Sequence, residues 1–157
     1  MTQLSPDSRI WIYQSSRAFS PTEVAKVKAA ATQFVTQWTA HNHALLAKAD
    51  VIHNRFVVLA VDESQAGASG CSIDKSVHFM QQLGGELGVD FFNRLDFAYR
   101  AADGSLQTAH KDDFATLYKN GAITTETPVF NNLIQTLGDL AHKWEIPLGQ
   151  SWHKNFV

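Results

Sequence analysis

The feature that most restricts this chain is Phe56-Val57-Val58-Leu59-Ala60-Val61, six apolar residues with no polar interruption. The run is too short for an ordinary helix and is rich in β-branched and bulky side chains. It reads as a strand covered on both faces, because a strand with one wet face would alternate apolar and polar positions. Asp62 and Glu63 end it abruptly. The loop Ser64-Gln65-Ala66-Gly67-Ala68-Ser69-Gly70 carries little side-chain bulk, so its backbone can turn sharply and approach another group closely. The lone cysteine, Cys71, follows at the start of a helix whose apolar positions are read as Ile73, Val77, Met80 and Leu87.

A strand, a small-residue loop and a helix N-terminus together form a candidate anion site, since unpaired N–H groups and the helix dipole favour negative charge there. The same setting would lower the pKa of Cys71 and sharpen it as a nucleophile, while Asp74 pulls the other way. The candidate ligand-binding residues are Asp62, Gly67, Ser69, Gly70, Ser72, Asp74 and His153, with Cys71 the candidate catalytic residue. The competing reading is plainer: Ser69 or Ser72 caps the helix, and Cys71 is a small buried apolar residue.

A base for Cys71 is not local. His78 shares a helical stripe with Cys71, Asp74 and Lys75, but seven residues span about 10 Å of rise, against the ~3 Å that proton transfer needs. His53, His110 or His153 would have to supply it. Asp62 and Glu63 are adjacent on a strand and point to opposite faces, so only one can enter a given pocket. If neighbouring strands ran parallel, Asp62 would border the crevice at their C-terminal ends. Arg55 lies about 20 Å away at the strand's other end and is read as a surface or partner contact. His41-Asn42-His43 invites a metal reading, but no third ligand lies at diagnostic spacing, so the pair is read as ending a helix. No metal or cofactor is expected.

Other elements follow from pattern. Arg9–Gln14 reads as a strand. Ser20-Pro21-Thr22-Glu23 opens a helix to about Thr39 with a capping box and an early proline, its inner face Val24, Val27, Ala31, Phe34 or Val35, and Trp38. Leu45–Ile52 is a short helix or a second strand. Gly84-Gly85 and Gly88 weaken and end the central helix. Leu95–Tyr99 and Leu106–Thr108 flank an Asp103-Gly104 hairpin turn. Lys111–Asn120 is a helix closed by Gly121. Residues 127–132 form a short strand or turn, and 133–144 an amphipathic helix ended by Pro147. The aromatic tail Ser151–Phe156 is expected to pack back on the body. The expected fold class is α+β, a single domain over 1–157 with a mixed sheet of four to five strands and three to four helices. A three-layer α/β sandwich is the alternative.

Totals narrow the function. The chain has 157 residues, 45% of them hydrophobic and 18% charged, with net charge −2. That size buries roughly two-thirds of the unfolded surface, and the charge leaves no basic footprint for nucleic acid. A single cysteine forms no internal disulfide. No lysine directly follows a glycine, which removes the Walker A pattern, and GxGxxG, HExxH, CxxC and GxSxG are also missing. The segment MTQLSPDSR has no signal-type apolar core and no long apolar run follows, so no membrane partner is expected and the cytoplasm is the expected compartment.

The motifs WIYQ at 11–14, NRFVVLAVDE at 54–63, ASGCSID with SVHF at 68–79, VFNN at 129–132 and the closing SWHKNF extend over nearly the whole chain. Together they resemble a family of small Bacteroidetes-type bacterial proteins often labelled "ABC transporter ATPase". The label implies a phosphate-binding loop with its lysine, which this sequence lacks. The family carries no established activity, so the resemblance assigns no catalytic residue. Two functions are therefore carried forward. One is a non-catalytic binding or assembly module, with a protein partner or a second copy of the chain. The other is a protein that binds a small anionic ligand at the Asp62–Cys71 loop, with Cys71 as nucleophile or redox sensor.

Overall fold

The computed structural model describes residues 4–157, which gather into two compact units. The first comprises the chain up to Phe92 with Gln135–Gly138; the second comprises Asn93–Ile134 with Asp139–Val157. The fold is α+β with every sheet antiparallel. The expected single mixed sheet is therefore replaced by separate antiparallel ones, and the α/β sandwich, which needs parallel strands, is excluded.

In the first unit, β1 (Arg9–Gln14) leads to α1 (Pro21–Thr36). The predicted start holds in detail. Ser20 accepts from the Glu23 N–H, and the Glu23 carboxylate accepts from the Ser20 N–H. Arg17 clamps the same carboxylate with two 2.8 Å bonds. The buried face is Val27, Ala31 and Val35, with Trp38 enclosed just beyond the helix.

Two strand pairs follow. The hairpin of β2 (Thr39–Ala40) and β3 (His43–Ala44) turns through His41 and Asn42, at φ 51° and 65°. The pair read as ending a helix thus forms a hairpin turn instead. Next come β4 (Leu46–Ile52) and β5 (Phe56–Asp62), turning through His53 and Asn54 at φ 54° and 56°. The β2–β3 turn has two residues, both at positive φ, which matches the right-handed twist of its strands. The β4–β5 connection has three, His53-Asn54-Arg55, because Ile52 pairs with Phe56. Asn and His tolerate positive φ better than most residues.

The sheet order is β1-β5-β4, so the six-residue apolar run lies centrally, with Phe56–Val61 fully buried. Val57, Leu59 and Val61 join α1 in one core, to which α2 (Gly70–Leu87) adds Met80 and Leu83. The buried face of α2 is Ser72, Ser76, Met80, Leu83 and Gly84. Of the Ile73, Val77, Met80 and Leu87 face that apolar spacing predicts, Met80 is buried while Ile73, Val77 and Leu87 are half-buried, so the helix is rotated from it. Serines on that face allow close approach and find partners. Ser76 Oγ donates to the Ile73 carbonyl and lies 3.3 Å from the Tyr13 hydroxyl, and the Ser72 carbonyl accepts from Trp38 Nε1 at 2.8 Å. Gly84-Gly85 does not stop the helix; Gly88, at φ 69°, does.

The second unit is built on β6 (Asp96–Arg100) and β7 (Leu106–His110), joined by the predicted Asp103-Gly104 turn. α3 (Lys111–Lys119) follows, with Gly121 at φ 78° just past its end. β8 (Pro128–Phe130) begins at its proline, as the missing N–H requires, and lies between β6 and β9 (Glu145–Pro147). Its core is Phe97, Phe114, Ile123, Val129 and Leu148. Between β8 and β9 the predicted helix over 133–144 shrinks to α4 (Leu137–His142), with no buried residue. The reason is competition for backbone bonds: Ile10 N–H bonds to the Gln135 carbonyl, Thr136 bridges to Arg9, and Gly138 packs on Pro6.

Candidate functional site

The geometry around β5, the small-residue loop and the start of α2 is closed by the chain's own groups. Ser64 N–H donates to Asp62 Oδ1 at 3.0 Å, and that bond draws the Asp62 carboxyl below its ordinary pKa. Ala68 N–H donates to Glu63 Oε2 at 2.9 Å, so the loop folds around the carboxylate of the residue that follows β5. Gly67 is part of that wrap: a Cβ there would stand 3.0 Å from Glu63 Oε2.

Ser69 and Ser72 cap reciprocally. Ser72 N–H donates to Ser69 Oγ at 3.2 Å, and Ser69 N–H to Ser72 Oγ at 2.6 Å. Ser72 is fully buried. The serine-cap alternative raised from sequence thus describes both residues at once. Four amides that could have faced an anion, those of Ser64, Ala68, Ser69 and Ser72, are taken within the segment. An incoming anion would also approach beside the carboxylates of Asp62 and Glu63, and like charges repel there.

Gly70, Cys71 and Asp74 are exposed at the start of α2. The thiol is open to solvent, which removes the reading of Cys71 as a small buried residue. Lys75 and His78 share its exposed stripe, as helical spacing predicts. The strands beside β5 are both antiparallel to it, so the parallel-strand crevice that would have bordered Asp62 does not form.

No protein-family model, curated protein or solved structure matches this chain.

His153 belongs to the second unit and faces its core. It is 1% exposed. Its ring stacks on Trp152 at 3.8 Å and meets Phe97 at 5.0 Å and Phe114 at 6.0 Å. Nδ1 lies 2.6 Å from Ser151 Oγ. Desolvation lowers its pKa to about 4. Trp152 Nε1 donates to Asn131 Oδ1 at 2.9 Å, so the aromatic tail packs inward as expected. Arg55 is spent on structure: its Nε and Nη2 donate to the carbonyls of Ser15 and Ser16.

A feature that sequence reading missed is an open cavity of about 340 Å³ lined by Ala40, His41, His43, Ala44, Gln65, Ala66 and Gly67. One wall is the β2–β3 hairpin and the other is the outer part of the small-residue loop. Its polar groups are two imidazoles and one carboxamide. The signal was present as His41-Asn42, a dipeptide fit for a turn with both φ positive, but such turns are normally announced by glycine. Among the described residues no group of three or more His, Cys, Asp or Glu side chains is placed to hold a metal ion.

Proposed function

We propose that the protein is a non-catalytic binding module whose ligand-facing part is the cavity between the β2–β3 hairpin and Gln65–Gly67. The supporting observation is that cavity: its ~340 Å³ is in the range of small-molecule sites. Small side chains shape its floor, while His41, His43 and Gln65 offer both hydrogen-bond donors and acceptors. This chemistry favours a small, uncharged polar ligand such as an amide or a hydroxyl compound. The neighbouring Asp62 and Glu63 argue against an anion. The compartment that goes with this reading is the cytoplasm, where an exposed, unpaired Cys71 stays reduced. The family resemblance belongs to the same proposal and brings no ATPase chemistry with it.

The test is a fragment screen by protein-observed NMR, using neutral amides and inorganic phosphate as separate probes. Amide fragments should shift residues 40–44 and 65–67 together, and Ala44→Trp, which fills the space, should abolish those shifts. A screen with no response in either segment sinks the reading.

A second reading keeps the loop as an anionic-ligand site with Cys71 as nucleophile or redox sensor, and the exposure of Cys71 favours it. Labelling Cys71 with a thiol reagent across pH decides it. A reactive thiolate well below the ordinary range near 8.5, together with phosphate-induced shifts at Gly70–Ser72, would support this reading. An ordinary thiol would end it.

A further inference from the structure

We propose that the C-terminal turn Trp152–Phe156 is an acid-releasable latch: taking up a proton on His153 drives it off the aromatic face formed by Phe97 and Phe114. The turn is a short 3-10 helix, a form with poorer hydrogen-bond geometry than an α-helix. Aromatic packing holds it. Trp152, His153 and Phe156 lie against Phe97 with ring centroids 5.3, 5.0 and 5.1 Å away. The buried member of that set is the titratable one.

Ser151 Oγ pairs with Nδ1 in either protonation state. A neutral imidazole fits this site because the aromatic rings packed around it offer a full charge little solvation. An imidazolium has two N–H donors, and Ser151 supplies the one hydrogen-bond partner it has among the described residues. Stacking on Trp152 offsets part of the charge, but Phe97 and Phe114 offer no lone pair. The groups on the surrounding elements do not help. Lys154 lies on the turn itself; Lys111, Asp112, Asp113, Tyr118 and Lys119 ride α3; Asp96, Tyr99 and Arg100 flank Phe97 on β6. The ion pairs that hold members of this set run from Lys111 and His110 to Asp112 and from Arg100 to Glu145. None reaches the imidazole.

The pH window follows from the lowered pKa. A base that prefers to be neutral when buried binds fewer protons closed than open, so the closed latch is fully favoured above about 6.5 and is lost as pH falls toward about 4. The rest of the unit keeps Ile123, Val129 and Leu148 in its core, so release is local and uncovers Phe97 and Phe114.

The experiment is hydrogen–deuterium exchange on the full chain from pH 7 to 4, corrected for intrinsic amide rates, with His153→Phe alongside. In the native protein the open population over residues 152–157 should rise by roughly two orders of magnitude between pH 6.5 and 4, while β6 and α3 stay protected. The Phe variant, with nothing to titrate, should keep the turn closed at pH 4. Native protection unchanged at pH 4, or equal loss in the variant, overturns the proposal. Should the variant fail to fold, an NMR titration of the native His153 ring decides instead. A midpoint that coincides with latch opening supports the proposal, and one displaced by more than about a pH unit refutes it.

Discussion

At the scale of single residues, the two His-Asn turns carry a cost that glycine would not. Asn54 sits at φ 56°, where Cβ crowds the following carbonyl. Asn54→Ala should therefore lose about 1 kcal/mol, because Ala lacks the local hydrogen bonding that lets Asn adopt this region. Asn54→Gly should leave stability nearly unchanged. Urea unfolding of the three proteins checks both. Glu23 gives a second test. Its carboxyl is lowered to about 2, chiefly by the Arg17 hydrogen bond and then by the Ser20 amide. Such a shift stabilises the fold above about 4.5, and the benefit disappears as pH falls toward 2. Thermal melts of Glu23→Ala should thus lie below those of the native protein at pH 7 and converge with them near pH 2. The capping box was legible in Ser20-Pro21-Thr22-Glu23 because its signal is local, four residues reading one another. The His-Asn turns were not, since the same dipeptide serves equally at a helix end and only strand pairing decides.

At the scale of elements, α2 shows where apolar spacing misleads. Counting hydrophobic side chains selects Ile73, Val77, Met80 and Leu87. Met80 is buried, but the helix also turns Ser72 and Ser76 inward, where small side chains let Trp38 reach the Ser72 backbone carbonyl and bring the Ser76 hydroxyl to Tyr13. Side-chain volume and a distant hydrogen bond outweighed hydropathy, and neither can be read from the helix alone. Its glycines separate in the same way. Gly85 is exposed, with nothing within 4 Å of a Cβ, whereas a Cβ on Gly84 would stand 2.7 Å from the Val89 carbonyl oxygen. Gly85→Ala should accordingly stabilise by roughly 0.5–1 kcal/mol through lower chain entropy and better helix propensity. Gly84→Ala should destabilise despite the same propensity gain. Opposite shifts in denaturation midpoint are the expected outcome; shifts of the same sign would show that the backbone at Val89 yields freely. Ser69→Ala should cost about 1 kcal/mol by removing the cap. The site was half visible for the same reason. The loop, the cap and the exposed Cys71 stripe follow from local chemistry. The Glu63 carboxylate that fills the loop, and the cavity across from it, depend on which strands pair.

At the scale of the whole molecule, the order of strand, helix and strand left a parallel α/β sheet open as the alternative to α+β, and β5 pairs antiparallel on both sides. The inserted β2–β3 hairpin and the reversal at His53-Asn54 account for the difference. Each unit buries its own large apolar residues, so Phe114→Ala should cost about 3–5 kcal/mol, read from chemical denaturation. Among the described residues no helix is long and apolar enough to cross a membrane. β1 must find β5 across the whole of α1 and two hairpins, with Gln14 opposite Phe56 and Arg9 opposite Val61. Pairings that distant slow the search for the native arrangement.

The burial of Phe56–Val61 on both sides also sets a rule for variation. Most strands have a wet side on which substitutions drift freely, whereas this one has no spare position. A saturation library over these six codons should retain only aliphatic and aromatic choices, and the same library over β4 should accept lysine and aspartate, as it already does at Lys48 and Asp50.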